Sequence, residues 1–286
     1  MSAPGDVAET TMNVAVILPA AGLGTRFGSG QTAKIELDLD GRAVFLRAID
    51  ALRECPRRGI TQIILAVNPD AIESFRFKWG DACTFAGVTI VPGGRQERWE
   101  TVQRALEHVG EGITHVAVHD AARPLVSQAL LDRVFDAARR FDAVIPGHPV
   151  SATLKRVARF DEDQDRTPDP LAGILGEDAT PRVTVQRVVE TLDRRDVIEV
   201  QTPQVFALPL IRRAYATLGE HPHATDDAML VEALGHPVHV VEGELTNLKI
   251  TRPDDLKLAA AIVAMHKPQH AARTARQRLF GDDDDE

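Results

Sequence analysis

A glycine-rich turn near the start of the chain is accompanied by two positive charges, a combination that suits chemistry on phosphates. The turn is Pro19-Ala-Ala-Gly-Leu-Gly-Thr-Arg26, and Lys34 follows shortly after it. Because Gly22 and Gly24 have no Cβ, their backbone N–H groups can approach an anion closely. Arg26 and Lys34 can supply fixed positive charge, which nucleotidyl transfer needs because negative charge accumulates around the reacting phosphorus.

Two familiar phosphate-binding loops do not fit this turn. A dinucleotide-binding fingerprint needs glycine or alanine where Phe27 stands, three residues after Gly24, and a P-loop needs Gly-Lys-Ser/Thr. An ordinary glycine turn with two solvated cations remains the alternative to nucleotidyl transfer. The turn alone does not decide between the two.

The segments around the turn predict an α/β fold, because short β-branched runs alternate with longer stretches of helical spacing. Strands are predicted over residues 13–18, 62–67, 88–91, 115–119, 143–145 and 238–241. Regular patterning also covers residues 183–192 and 198–201. Helices are predicted over residues 44–55, 97–109, 208–218, 226–234 and 253–265. Ser127 has the position of an N-cap for one more helix. This alternation indicates a mostly parallel sheet covered on both faces, with the glycine turn at the carboxyl end of the first strand, where such sheets bind ligands.

Composition and charge exclude several classes of protein. With 286 residues, 44% of them hydrophobic, the chain can bury a core and is too apolar for a disordered protein. No apolar run approaches the roughly 18 residues of a membrane helix, and residues 1–12 lack the features of a signal peptide. The last five residues carry −5 of the net charge of −9, and the mildly acidic remainder argues against a nucleic-acid-binding protein. The two cysteines fit neither a disulfide framework nor a zinc site, which favours reduced thiols in a cytoplasmic protein.

The chain is predicted to form one main domain with two loose ends. Residues 1–12 are expected to be disordered, and residues 267–286 are expected to form a loose acidic tail. Residues 13–266 form the main domain, from which an arm of about residues 150–200 protrudes. Within the arm, residues 160–181 hold many Asp, Pro and Gly residues with little periodicity, which predicts a surface loop.

Further motifs follow the glycine turn along the chain. They are Gly93-Gly-Arg-Gln-Glu-Arg-Trp-Glu-Thr-Val102, Val118-His-Asp-Ala-Ala-Arg-Pro124, Thr191-Leu-Asp-Arg194, Gln201-Thr-Pro-Gln204, Thr225-Asp-Asp227 and Asn247-Leu-Lys-Ile-Thr251. Together with the turn, this ordered set closely resembles the 2-C-methyl-D-erythritol 4-phosphate cytidylyltransferase family of the non-mevalonate isoprenoid pathway, over about residues 13–265. The resemblance implies a single nucleotidyltransferase domain of Rossmann-like α/β fold, with a mostly parallel sheet and a protruding dimerisation arm. It also implies a homodimer that joins CTP to the sugar phosphate with Mg²⁺ and releases pyrophosphate.

The resemblance also implies roles for individual residues. Nucleotide binding is implied for Ala20, Ala21, Gly22, Gly24, Gly94, Arg98 and Thr101. Catalytic cations that hold phosphates are implied at Arg26, Lys34, Arg194 and Lys249. Binding of the sugar phosphate is implied for Asp120, Arg123, Thr153 and Thr225. Asp120 is also the implied metal ligand.

Each of these assignments has a plainer alternative. Arg98 could face solvent on an amphipathic helix, Thr101 could lie on a helix surface, and Thr225 could cap the helix that follows it. His119-Asp120 could be a hydrogen-bonding pair at the end of a strand, and Arg194 could form an exposed basic pair with Arg195. Lys249 lies in an alternating, strand-like run whose Leu248 and Ile250 point inward, which points its ammonium group away from them.

Elementary chemistry agrees with these roles. The acceptor is itself a phosphate that is mostly ionised near neutral pH, so its oxygen can attack without a general base. Two anions must be brought together in line, and cations must offset their repulsion. We therefore expect cations, rather than a general acid or base, to dominate the site.

Three departures from the family pattern leave the acceptor open. Relatives usually have Pro-Lys-Gln where this chain has Ala33-Lys34-Ile35-Glu36, and an aspartate where it has Ala152. The 160–181 segment is also longer than expected. One alternative is therefore a cytidylyltransferase for another alditol phosphate, such as ribitol 5-phosphate. The other is a non-catalytic nucleotide-binding paralogue, although a binding protein needs fewer converging cations.

Overall fold

A computed structural model describes residues 12–22, 33–54, 59–159, 185–217 and 224–266 of the chain. These residues divide into two compact units. The first unit contains the described residues up to His148 and from Val200 onward, and the second unit is Pro149–Glu199. No helix among the described residues is both long enough and apolar enough to cross a membrane.

The described strands follow one another along the chain with helices between most of them. The strands are β1 (Val14–Ala20), β2 (Ile60–Val67), β3 (Val88–Pro92), β4 (His115–Val118), β5 (Ala143–Pro149), β6 (Lys155–Arg159), β7 (Gln186–Thr191), β8 (Ile198–Val200), β9 (Gln204–Ala207) and β10 (His239–Glu242). The helices are α1 (Val44–Arg53), α2 (Ile72–Phe85), α3 (Arg98–Leu106), α4 (Gln128–Ala138), α5 (Leu208–Ala216), α6 (Asp227–Ala233) and α7 (Pro253–His266). A short 3-10 turn covers Lys34–Glu36.

The sheet of the first unit has the strand order β10-β5-β9-β4-β1-β2-β3. All of these strands run parallel except β9, which is antiparallel to β4 and to β5. The predicted mostly parallel α/β sheet is therefore confirmed. In the centre, Ile17 of β1 lies opposite Val118 of β4, and Ala20 lies opposite Val67 of β2. The carboxyl ends of β1, β2 and β4 thus meet at one edge, where the segments that follow them must also lie.

Both faces of this sheet are covered, as the alternation of side chains along β1 requires. Val14, Val16 and Leu18 belong to a core shared with α1, α2 and α4. Ala15 and Ile17 belong to a core shared with α3, α5 and α6. Every residue from position 14 to position 18 is fully buried, so the strand that leads into the glycine turn is held rigidly from both sides.

Three helix and strand segments differ from the prediction. The helix α2 was not predicted because its apolar residues do not form one stripe: Phe75 is buried, whereas Phe77 and Phe85 are 96% and 88% exposed. The strand β9 has only four residues, too few for a clear period. The strand β6 was also missed. The N-cap was predicted correctly, because the Ser127 hydroxyl accepts a hydrogen bond from the Leu130 N–H at 3.0 Å.

The second unit contains the antiparallel pair β6 and β7 and the first two residues of β8. Val157 lies opposite Val188 in this pair. All six residues of β7 are exposed. The predicted 160–181 loop and the predicted 267–286 tail lie outside the described residues. Of the predicted disordered segment 1–12, only Met12 is described, and its side chain is buried in the core.

Candidate active site

A cleft of about 420 Å³ opens in the first unit beyond the carboxyl ends of β1 and β4. Its walls come from the end of β1, the 3-10 turn, the loop before α3, the loop after β4 and the segment before α7. The structure brings these predicted site residues together around it: Ala20, Ala21, Gly22, Lys34, Gly94, Arg98, Thr101, Asp120 and Lys249. Residues that are far apart in the chain thus converge on one cavity of the size that binds small molecules.

The remaining predicted site residues lie elsewhere. Gly24 and Arg26 fall outside the described residues. Thr153 and Arg194 belong to the second unit, where the side chain of Arg194 is exposed. Thr225 is exposed and does not line the cleft, and Asp226, not Thr225, caps α6 by accepting the Met229 N–H at 3.0 Å. The predicted substrate contact of Thr225 therefore has no counterpart in the cleft walls.

The glycine pair before α3 allows a close approach that no other residue would permit. The Gly93 N–H donates to the Val67 carbonyl at 2.7 Å, and the Gly94 N–H donates to the Thr101 hydroxyl at 3.0 Å. A Cβ on Gly94 would lie 2.3 Å from the Cβ of Glu100, which is far inside van der Waals contact. Thr101 is 2% exposed, so it supports the loop from below.

Asp120 carries a carboxylate surrounded by three cations. The Oδ2 atom lies 2.9 Å from Lys249 Nζ and 3.3 Å from Arg123 Nε, and Oδ1 lies 3.4 Å from Arg98 Nε. Burial alone would raise the pKa of this carboxyl group, but Arg98, Lys249 and Arg123 outweigh burial and hold the pKa well below its usual range. Asp120 is therefore ionised at neutral pH and aligns the ammonium group of Lys249.

Arg123 is held beneath the cleft and does not line it. Its side chain is 9% exposed, and Nη1 donates to the Asn247 carbonyl at 2.7 Å. Binding of the sugar phosphate by this guanidinium stays a prediction, and two of its nitrogens, Nε and Nη1, contact Asp120 and Asn247. It joins the loop after β4 to the segment before α7, which also carries Lys249.

Arg98 bridges two carboxylates, contrary to the alternative that it faces solvent. Its Nη1 atom lies 2.8 Å from Asp227 Oδ2, and its Nε atom faces Asp120. Asp227 is fully buried, and its Oδ1 accepts the Tyr215 hydroxyl at 2.6 Å. Although burial lowers the pKa of Arg98, Asp227 and Asp120 raise it further. Arg98 therefore holds the cleft wall in place, in addition to any contact with nucleotide.

Lys249 points into the cleft because its neighbours point away from it. Ile250 is fully buried, and its N–H donates to the Ala122 carbonyl at 2.9 Å. The sequence suggested an alternating strand here, but the segment is not a β-strand in the structure. Lys249 Nζ reaches Asp120 at the cleft, whereas the Ile250 side chain packs in an apolar cluster with Leu39, Val44 and Ala259.

A buried polar network behind Asp120 was not predicted. The neutral His119 ring donates from Nε2 to the Arg123 carbonyl at 3.1 Å, so Nδ1 must accept the Thr202 hydroxyl at 3.0 Å. The Thr202 Oγ1 atom in turn accepts the Asp120 N–H at 3.1 Å. The Asn247 amide donates to the Thr202 carbonyl at 2.9 Å. The motifs around positions 119, 202 and 247 were visible in the sequence, but only the fold shows that their side chains form one hydrogen-bonded network.

The burial of His119 gives stability a specific pH dependence. Burial lowers the pKa of this imidazole from 6.5 to about 4, so between these values the unfolded chain binds a proton that the folded chain does not. We expect this residue to contribute about 3 kcal/mol of unfolding free energy at pH 7 that is lost as pH falls from about 6.5 to about 4. Urea unfolding of wild type and His119→Gln across this range measures it.

The glutamine variant is informative because it retains an N–H donor but does not titrate. Its stability should lie below that of wild type at pH 7 and approach it at pH 4. His115, whose pKa burial also lowers, titrates in both proteins and cancels in the comparison. Parallel stability curves for the two proteins over this range would show that His119 is not held neutral.

The described residues do not form a magnesium site by themselves. No group of three or more His, Cys, Asp or Glu side chains within the described ranges could hold a metal ion. Asp120 Oδ1 has only the long 3.4 Å contact to Arg98, so it is the carboxylate oxygen most open to a cation. A hard cation here would need most of its oxygen ligands from a bound phosphate.

Comparison with known proteins identifies the family. The sequence model of the 2-C-methyl-D-erythritol 4-phosphate cytidylyltransferase family, IspD, matches residues 14–169 and 161–265. A protein of that name from Rhodopirellula baltica is 40% identical over 262 residues, which cover 88% of this chain and 95% of the relative. A second, from Frankia casuarinae, is 39% identical and covers 92% of this chain and 85% of its own length.

Solved structures agree with the sequence relatives. The crystal structure of 2-C-methyl-D-erythritol 4-phosphate cytidylyltransferase from Thermus thermophilus is similar to this chain with a TM-score of 0.65 and 32% identity. The similarity covers 88% of this chain and 100% of that structure. The sequence motifs, the parallel sheet and the cleft at its carboxyl edge thus have one explanation: the chain belongs to the 2-C-methyl-D-erythritol 4-phosphate cytidylyltransferase family.

Proposed function

We propose that this chain transfers the cytidylyl group of CTP to 2-C-methyl-D-erythritol 4-phosphate and releases pyrophosphate. Membership of the family supports the reaction. The observation that carries the assignment is the convergence of Lys34 and Lys249, from opposite ends of the chain, on one cleft beside Asp120. A site for joining two phosphates needs such opposed cations, because the reacting groups repel each other.

The reaction needs little from the protein beyond positioning and charge. A phosphate oxygen of the acceptor forms a bond to the α-phosphorus of CTP, and the bond from that phosphorus to the pyrophosphate oxygen breaks. The acceptor oxygen is already ionised, so no side chain has to remove a proton. The cations stabilise the charge that develops on the leaving pyrophosphate and on the reacting phosphoryl oxygens.

The residues divide between the two substrates. The backbone at Ala20, Ala21 and Gly22, with Lys34, binds the CTP phosphates, and Gly94 and Thr101 form the nucleoside side of the cleft. Lys249, aligned by Asp120, faces the reacting phosphates. Arg26 and Gly24 complete the nucleotide site on the strength of the family resemblance. On the same basis, Thr153 and Arg194 of the second unit bind the sugar phosphate.

Arg194 is better suited than its neighbour Arg195 to bind the sugar phosphate. Arg195 pairs with Asp193, whereas the Arg194 guanidinium has no hydrogen-bond or ion-pair partner among the described residues. An exposed guanidinium offers bidentate recognition of a phosphate. Arg194 is therefore the stronger candidate of this basic pair.

Magnesium binding is part of the proposal. Asp120 would be the protein ligand through Oδ1, and CTP phosphate oxygens would supply most of the others. The ion would neutralise charge on the triphosphate when it is bound. Because Asp120 is ionised, it is ready to accept a cation at neutral pH without losing a proton first.

The exposed valines of the second unit support a homodimer. Val157 and Val188 lie opposite each other in the β6–β7 pair and are 44% and 55% exposed. A second copy of this chain would cover this apolar surface. We expect Val188→Asp to give a monomer in sedimentation experiments, and Val240→Asp, at a valine of similar exposure on β10, to leave a dimer. A dimer that survives Val188→Asp contradicts this assignment.

A pyrophosphate-release assay tests the reaction itself. The chain is incubated with CTP, Mg²⁺ and either 2-C-methyl-D-erythritol 4-phosphate or ribitol 5-phosphate. Release with the first acceptor supports the proposal, and release with ribitol 5-phosphate alone assigns the alditol phosphate instead. No release with either acceptor favours a non-catalytic nucleotide-binding protein.

We also propose a cytoplasmic location, because Cys83 is a buried free thiol whose pKa burial raises to about 11.

A further inference from the structure

The turn that carries Lys34 is tied to α2 by a single carboxylate. The Glu36 Oε2 atom accepts hydrogen bonds from Trp79 Nε1 and from Lys78 Nζ, each at 2.9 Å. The Glu36 side chain is only 15% exposed, so solvent screens this pair less than a fully exposed one. The link joins residues 43 apart in the chain, and α2 contributes no residue to the cleft walls.

The anchor at the far end of this link is rigid. The Trp79 ring packs edge-on against Phe45, with ring centroids 5.3 Å apart and planes at 83°. Phe45 is fully buried in the core beneath α1 and α2. The indole N–H therefore has a fixed position, and the carboxylate bound to it is fixed as well.

The turn itself transmits this position to Lys34. The Glu36 N–H donates to the Ala33 carbonyl at 2.8 Å, which closes the turn around Lys34. Ile35 is 5% exposed and packs into the same core. The backbone after Lys34 is thus held by the apolar side chain of Ile35 and then by the hydrogen-bonded carboxylate of Glu36. Rigid placement matters here because the long lysine side chain has many rotamers of its own.

We propose that Glu36 is a positioning residue for Lys34: through Trp79 it holds the lysine turn against α2 so that the ammonium group enters the cleft. The inference rests on the proposed function, since its effect is read from the CTP reaction.

Three variants separate the parts of the link. Glu36→Ala removes the carboxylate, Glu36→Gln keeps an acceptor for the indole, and Trp79→Phe keeps the ring but removes its N–H. We expect Glu36→Ala to lower kcat/KM for CTP by about 10- to 100-fold, as a small misplacement of a charged group does. Trp79→Phe should lower it by about 3- to 10-fold, and Glu36→Gln should restore part of the loss. Glu73→Gln, at an 83% exposed side chain on the same helix, is the matched control.

The decisive measurement is the double variant. If Glu36 acts through Lys34, then Glu36→Ala added to Lys34→Ala changes the rate by less than about twofold. If the two losses multiply, Glu36 acts by another route and the inference is wrong. Trp79→Phe keeps the test open should Glu36→Ala fail to fold. If the wild type is active and Glu36→Ala is fully active as well, this inference is wrong but the proposed function stands. If the wild type itself releases no pyrophosphate, the proposed function is wrong.

Discussion

We expect Lys34→Ala to lower kcat for cytidylyl transfer by about 10²- to 10³-fold, the usual cost of removing one fixed donor from a developing negative charge. Lys34 lines the cleft and belongs to the turn that faces the end of β1. Its neighbour Ile35 supplies the packing into the core. The fold should therefore remain intact, and we expect a thermal melt close to that of wild type alongside the loss of rate.

Two controls make this prediction specific. Lys257→Ala removes an equal charge from an 80% exposed side chain on α7 and should leave the rate unchanged. Lys34→Arg keeps the positive charge but not the compact ammonium group, so it should recover only part of the loss. A near-normal rate for Lys34→Ala would show that Lys34 has no part in the mechanism. Another cation would then have to offset the negative charge of the reacting phosphates.

The parts of the site that the sequence predicted are those whose role depends on local backbone. Gly22 and Gly94 lie in short segments directly after strands, and a parallel sheet brings the ends of those strands together whatever the details. Their meeting in one cleft follows from strand order and needs no long-range side-chain contact. The N-cap at Ser127 is local in the same sense, and it was also predicted correctly.

The parts that were missed depend on contacts between distant residues. Thr202 meets His119 across 83 positions, and Arg123 meets Asn247 across 124. No period or spacing in a single sequence encodes such pairs. The contacts of Arg123 could not be predicted for this reason, because its Nη1 atom donates to a carbonyl far along the chain.

The helix α2 shows how a missed element can conceal a functional link. Its two exposed phenylalanines obscure the amphipathic pattern, although Phe75 and Cys83 point into the core. Without α2 in place, Glu36 looks like a solvated charge next to the lysine. With α2 in place, Trp79 and Lys78 give Glu36 a defined position.

Asp120→Asn is expected to lower both stability and activity, because it leaves buried cations without their shared anion. Arg98 keeps Asp227, but Lys249 and the Nε of Arg123 lose the carboxylate that lies 2.9 Å and 3.3 Å away. Breaking a buried ion pair from one side costs about 3–5 kcal/mol, and urea unfolding measures this. Because Lys249 then loses its alignment, kcat/KM should fall by at least about 10²-fold.

The pH dependence and a control separate this effect from a general loss of packing. The pKa of Asp120 is lowered on folding, so its contribution to stability is complete above the ordinary carboxyl pKa near 3.8 and is lost as pH falls below it. The gap between wild type and Asp120→Asn should therefore stay constant from about pH 5 to pH 7 and narrow only in stronger acid. Asp254→Asn, at an 88% exposed side chain, should change stability by less than about 0.5 kcal/mol. If Asp120→Asn proved as stable as wild type, the three cations would not depend on this carboxylate, and the charge centre of the cleft would have to lie elsewhere.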